Sequence, residues 1–224
     1  MGQKVNPLGM RIGIIREWDS KWYGNKRAYT KMLHQDIKLR KFIEDHLKDA
    51  GLSRIEIQRN ANQVTVNIHT SRPGIVIGSQ GASIEKLRTQ LENKFRDKFQ
   101  INIIEVKKPY QDARIVAELV GKQIERRMPY RRACKTAIDR ATESGVLGIK
   151  IRVAGRLNGV DIARNQFFKE GRIPLQTFRS NIDYAYYPAV TTFGVIGVKV
   201  WIYLGDIFHG NVHNQTSSSA HPVS

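Results

Sequence analysis

Ile75-Val-Ile-Gly-Ser-Gln-Gly-Ala-Ser-Ile84 is the stretch on which the reading of this chain turns. An apolar half-turn runs into a Gly-X-X-Gly loop (Gly78, Ser79, Gln80, Gly81) and then into the start of a helix. With no Cβ at either glycine, the backbone can pass close to a phosphodiester. The helix that begins near Ser83 aims its free N–H groups at the same place, which favours an anion. Four residues are a short motif, so their weight depends on the elements around them.

Upstream, a helix is predicted from about Tyr29 to Lys48, with Ile37, Phe42, Ile43 and Leu47 as its apolar stripe and Gly51 as its stop. Arg54-Ile-Glu-Ile-Gln-Arg59 and Gln63-Val-Thr-Val-Asn-Ile-His69 alternate with a period of two, and Asn60-Ala61-Asn62 supplies the turn of a hairpin. Pro73 opens a short helical turn that ends at the glycine loop. A helix from about Ala82 to Lys98 places Ile84, Leu87, Leu91 and Phe95 on one face, and Ile101-Asn-Ile-Ile-Glu-Val106 closes the set as a strand. This order resembles the bacterial-type, or type II, KH module (α-β-β-α-α-β), whose loop clamps a nucleic-acid backbone.

Lys107-Lys108-Pro109 interrupts the pattern and marks a domain boundary. Beyond it we predict helices from about Asp112 to Arg127 and from about Tyr130 to Thr142, separated by Pro129. Leu147-Gly-Ile-Lys-Ile-Arg-Val153 alternates as a strand, with Lys150 and Arg152 on the face opposite Ile149, Ile151 and Val153. Two further strands are expected around Leu175–Tyr184 and Gly194–Leu204, joined through the Pro188 region. The fold class is therefore α+β with two domains: residues 17–108 as the KH domain and 109–208 as two helices packed on a β-sheet. Residues 1–16 read as an irregular basic arm that orders only against a partner, and 209–224 as a disordered tail.

The charge balance is unusual, with 37 Lys and Arg against 20 Asp and Glu, a net +17. Such a field attracts polyanions, and nucleic acid is the commonest that a soluble protein meets. A membrane surface fits less well, because there is no long apolar run and position 6, where a myristoylation start needs Ser or Thr, is Asn6. Cys134 is the single cysteine, which excludes an internal disulfide and a cysteine zinc framework, and no secretory h-region is present. A reducing interior follows, the cytoplasm or that of an organelle.

Candidate RNA-binding residues concentrate after the boundary. Lys122, Arg126, Arg127, Arg131, Arg132, Lys135 and Arg140 are relieved only by Glu125 and Asp139. At about 100° per residue, Arg131, Arg132 and Lys135 lie in one sector of their helix. An isolated charge run is usually a solvated face, but the scarcity of offsetting acids favours an RNA-facing sector. Gly155-Arg-Leu-Asn-Gly159 with Arg164 makes a second basic loop after the cationic strand, extended by Lys169, Arg172 and Arg179. Arg156 and its neighbours suit bidentate phosphate contacts. The late aromatics, Phe167 to Tyr203, are capable of base stacking, but most are assigned to packing. His209 and His213 lack a third ligand, so no metal site is expected, and no cofactor either. Walker and nucleophile-elbow motifs and a magnesium-binding carboxylate cluster are all missing, so the chain is not read as an enzyme.

Longer motifs carry a closer resemblance. Gly2-Gln-Lys-Val-Asn-Pro-Leu-Gly-Met-Arg-Ile-Gly13, Pro73-Gly-Ile-Val-Ile-Gly78, Glu125-Arg-Arg127, Arg131-Arg-Ala133, Ser144-Gly-Val-Leu-Gly-Ile-Lys150, Gly155-Arg-Leu-Asn-Gly159 and Thr191-Thr-Phe-Gly-Val-Ile-Gly-Val-Lys-Val-Trp201 resemble, in order, the ribosomal protein S-three family in its bacterial or organellar form. The resemblance implies ribosomal RNA binding in the small-subunit head, beside ribosomal proteins S-ten and S-fourteen. It also implies a place at the messenger-RNA entry pore with S-four and S-five across the opening. Arg131, Arg132 and Lys135 match the basic positions through which the family grips and unwinds incoming message. The chain departs from the family where the middle of the loop often carries lysine and here has Ser79 and Gln80. A free KH regulator of single-stranded RNA is the alternative reading, and a DNA-processing enzyme ranks far below it. RNA binding by the isolated protein is expected to be steeply salt-sensitive, each single-strand phosphate contact adding about −0.7 to the log–log slope; a flat salt titration would overturn the electrostatic reading.

Overall fold

Alternating apolar residues build the first sheet, and a pair of polar anchors finishes it. The computed structural model describes residues 4–60 and 63–208; Ala61 and Asn62 of the expected hairpin turn, and the tail with His209 and His213, lie outside the described residues. The chain divides into two units, Trp18–Pro109 and the two-segment Met1–Glu17 with Tyr110–Ser224.

The Trp18–Pro109 unit runs β1 (Ser20–Lys21), α1 (Lys26–His46), β2 (Leu52–Arg59), β3 (Val64–Thr70), α2 (Pro73–Ile77), α3 (Ala82–Phe95) and β4 (Phe99–Glu105). β2 and β3 pair antiparallel, with Ile57 opposite Val66 and Ile55 opposite Ile68. β4 joins β3 and β1 joins β2, both parallel, in the order β1-β2-β3-β4. Ile55, Ile57, Val64, Val66 and Ile68 pack with Leu39 and Ile43 of α1 and Leu87 and Leu91 of α3.

The expected stripe on α1 is corrected. Ile43 is buried and Phe42 and Leu47 pack beside the core, but Ile37 is 55% exposed and Asp36 is buried instead. The Asp36 carboxylate accepts hydrogen bonds from Trp22 Nε1 at 2.8 Å, Arg59 Nε at 2.8 Å and Ser20 Oγ at 3.2 Å. A buried charge satisfied in this way can stand in an apolar stripe, and here it fastens β1 to the helix. Neither Asp36 nor β1 carries a hydropathy signal.

The second unit adds α4 (Ala113–Glu125), α5 (Tyr130–Glu143), β5 (Gly148–Gly155), β6 (Arg164–Gly171), β7 (Ser180–Thr191) and β8 (Gly194–Asp206). Its sheet is antiparallel throughout, in the order β6-β5-β8-β7. α4 packs on β7 and β8, and α5 on β5 and β6, all on one face. The segment read as a basic loop from Arg164 is strand β6, paired with β5 from Gly155↔Arg164 to Gly148↔Gly171. It is an edge strand and mostly exposed, so it shows little apolar alternation. Pro188, expected in a connection, lies inside β7 opposite Gly197. β7 is the other edge, where a residue without an N–H is tolerated.

The arm expected to order only against a partner folds onto this second unit. Arg11 is 1% exposed. Its guanidinium donates from Nε to Ser180 O at 2.7 Å, from Nη1 to Pro7 O at 2.9 Å, and from Nη2 to Thr177 O at 2.9 Å and Leu175 O at 3.2 Å. Its planar fork of donors fits four carbonyls that one ammonium group could not span. Arg11→Ala is expected to lower the stability of this unit by about 3 kcal/mol, because buried carbonyls lose a charged donor, and Arg11→Lys should recover little. Urea unfolding reads both, and an unchanged midpoint for Arg11→Ala would show that the arm is not anchored there.

Candidate nucleic-acid interface

Gly78 to Gly81 connect α2 to α3 at the surface of the first unit. Gly78 has φ +71° and Gly81 φ +79°, both left-handed. A Cβ on Gly78 would stand 2.2 Å from Ser83 Oγ, so the turn into α3 requires glycine there. Between them Gln80 also takes a left-handed φ of 52°, and both Ser79 and Gln80 are exposed. The loop therefore offers backbone groups and two neutral polar side chains to an anion.

On α5 the buried residues are Tyr130, Ala133, Cys134, Ala137, Ile138 and Ala141. Their spacing turns Arg131, Arg132 and Lys135 outward, and all three are exposed. Arg131 lies over the Tyr130 ring, 5.9 Å from its centroid, and donates to Tyr130 Oη at 3.2 Å. Arg132 and Lys135 make no ion pair among the described residues. Arg126 and Arg127 follow α4 directly and are exposed, Arg127 in a left-handed conformation with φ 63°. Burial pushes the Cys134 thiol up to about 12, so it stays protonated and unreactive.

Lys150 and Arg152 occupy the face of β5 that points away from the helices, whereas Arg164, exposed at the start of β6, pairs with Gly155 and has the strand parity of Gln166 and Phe168, on the helix side. Burial, then the nearby Lys4, Arg152 and Lys169, hold the Lys150 ammonium below its ordinary pKa. Such a concentration of like charge is relieved by a bound anion. Arg172 is exposed just past β6. Two other expected contacts are already engaged within the chain. Arg156 donates to Val160 O at 3.0 Å and to Asp161 Oδ1 at 3.0 Å, bracing its own loop, and Arg179 pairs with Asp206 at 3.3 Å.

The aromatics depart from the packing role assigned to most of them. Phe168 and Tyr187 do pack against the core. Phe167, Phe178, Tyr186 and Phe193, by contrast, are 64%, 51%, 54% and 54% exposed. Strand parity could have separated Phe167 from Phe168 only once β6 was recognised as a strand.

The neutral loop allows a direct test. Gln80→Lys adds one cation at an exposed position, and if the loop lies on an RNA backbone it should tighten binding severalfold and steepen the salt slope by about 0.7. Filter binding across a salt series reads this, and an unchanged slope would place the loop away from RNA.

Comparison with known proteins agrees with this geometry in both units. A KH domain family model matches residues 38–111, and a model described as the C-terminal domain of ribosomal protein S3 matches residues 120–202. The small ribosomal subunit protein uS3 of Pelotomaculum thermopropionicum is 54% identical over 207 residues, covering 92% of this chain and 90% of its own length. The uS3 of Enterococcus faecalis is 53% identical, with 92% and 94% covered, and that of Ligilactobacillus salivarius 50% identical, with 96% and 98% covered. With both units matched and relatives at half identity or more along nearly the whole chain, this protein belongs to the uS3 family.

Proposed function

We propose that the chain is a structural constituent of the small ribosomal subunit head, on the ribosome in the cytoplasm, and that it binds ribosomal RNA and lines the messenger-RNA entry pore. The relatives are named as small ribosomal subunit proteins, and the chain is not an enzyme. In this reading its neighbours are ribosomal proteins S-ten and S-fourteen, with S-four and S-five across the opening. Arg131, Arg132 and Lys135 grip incoming message and help to separate its duplexes. The observation that carries the reading is the division of α5, where alanines, Cys134 and Ile138 are buried and the three cations stand together outside. A cationic sector on a rigid helix engages phosphates without itself needing a nucleotide-driven motor, since translocation supplies the pull.

A free KH regulator would depend chiefly on its glycine loop, and this loop brings no charge of its own. Sedimentation of the tagged chain from a lysate at high salt separates the two readings. Co-migration with the small subunit at one copy per particle is expected, and a slow or message-associated peak would favour the regulator. The triple variant Arg131→Glu, Arg132→Glu, Lys135→Glu should still enter subunits, because its core is untouched, yet slow translation through stable hairpins severalfold while sparing unstructured messages. Unchanged passage through hairpins would overturn the gripping role.

A further inference from the structure

Within the second unit, the sheet face opposite the helices has a composition that neither packing nor simple solubility requires. Strand register arranges it in two cross-strand rows. One row reads Lys169, Lys150, Trp201, Tyr184 across β6, β5, β8 and β7, and the next reads Phe167, Arg152, Lys199, Tyr186. Four cations and four aromatic rings fill the eight positions, with no carboxylate among them. Successive rows are two residues apart along the strands, about 7 Å.

The rings and cations are already interleaved. Lys150 Nζ lies 5.3 Å from the Phe167 centroid and 5.4 Å from that of Trp201, and Lys199 Nζ lies 5.9 Å from that of Tyr186. Tyr184 and Trp201 stand 5.2 Å apart, centroid to centroid. The Arg11-anchored arm walls one side through Lys4, Asn6 and Pro7, closing a groove of about 900 Å³ over Lys150, Tyr184 and Trp201.

We propose that this face is a seat for unpaired RNA, with bases stacking on Trp201, Tyr184, Phe167 and Tyr186 while Lys4, Lys150, Arg152 and Lys199 hold the phosphates. The proposal rests on the RNA-binding reading above and names the form of RNA taken. A duplex keeps its base faces stacked inside and would leave these rings unused. An acidic peptide would answer the cations alone. Unpaired nucleotides use both, since every base has a face to stack and a phosphate to pair.

The test uses the full chain and a labelled unpaired RNA of about 12 nucleotides. Controls are a duplex of equal length and a base-free backbone of equal charge. Phe167→Leu with Tyr186→Leu alters two rings already more than half exposed, so the fold should survive, as circular dichroism would report. Affinity for unpaired RNA should fall by about tenfold with its salt slope unchanged, and binding of the base-free backbone should not move. Lys150→Gln with Lys199→Gln should instead flatten the slope. Photocrosslinks from thiouridine-containing RNA should fall on peptides carrying Phe167, Tyr184 or Trp201.

Unchanged affinity in the ring variant, or crosslinks confined to Gly78–Gly81, would overturn the stacking seat and leave the RNA-binding reading standing. Absence of any salt-dependent RNA binding by the native chain would overturn both. Protection of the same face by an acidic peptide in preference to RNA would replace it with a protein-docking surface.

Discussion

Burial of only one face of a sheet governs the second unit. α4 and α5 cover β5 to β8 from one side, so alternate residues of the central strands β5 and β8 enter the core. Ile149, Ile151 and Val153 of β5 do so together with Ile196, Val198, Val200 and Ile202 of β8. The residues between them have no choice of side, because strand geometry alternates side chains with a period of two. Lys150, Arg152, Lys199 and Trp201 therefore reach the same open face without a separate device to aim them. The same rule on α5, with a period of 3.6, turns Arg131, Arg132 and Lys135 outward by burying the small residues between them.

Buried charge is used sparingly, and for anchoring. Asp36 meets Arg59, Trp22 and Ser20 in the first unit, and Arg11 meets four backbone carbonyls in the second. Both join a segment with no regular apolar period of its own, β1 in one case and the arm in the other. A buried charge is costly unless every donor or acceptor around it is satisfied. That requirement makes such an anchor specific to a single arrangement. The Arg11 anchor has a consequence for the surface, because it sets the arm as one wall of the groove over Trp201 and Tyr184.

Most remaining cations stay at the surface, and Lys and Arg together exceed the acids by 17. Self-repulsion of this size weakens a folded protein, and a polyanion relieves it. Cations on α5 and on the open sheet face that meet no carboxylate among the described residues are thus inexpensive in complex with RNA and unfavourable without it. Arg156 and Arg179 show the contrast, since each spends its donors on Asp161, Asp206 or local carbonyls.

The glycine loop, the β2–β3 hairpin, the helices α3 to α5 and the alternation of β5 were legible in the residues, because each carries its own local period or turn chemistry. From these came the two-domain α+β class, the KH resemblance and the outward sector of α5. β1, β6, the passage of β7 through Pro188 and the burial of Arg11 and Asp36 were not. Each depends on a partner distant in sequence: Ser20 on Ile57, Arg164 on Gly155, Pro188 on Gly197, and Arg11 on Ser180. The pairing of cations with aromatic rings on the sheet belongs with them. Within a recognised strand the residues alone settle which side each side chain takes, since that follows from neighbours along the chain. Which strands lie side by side emerges only on folding, because register is set by long-range hydrogen bonds and shared core packing that no local pattern records.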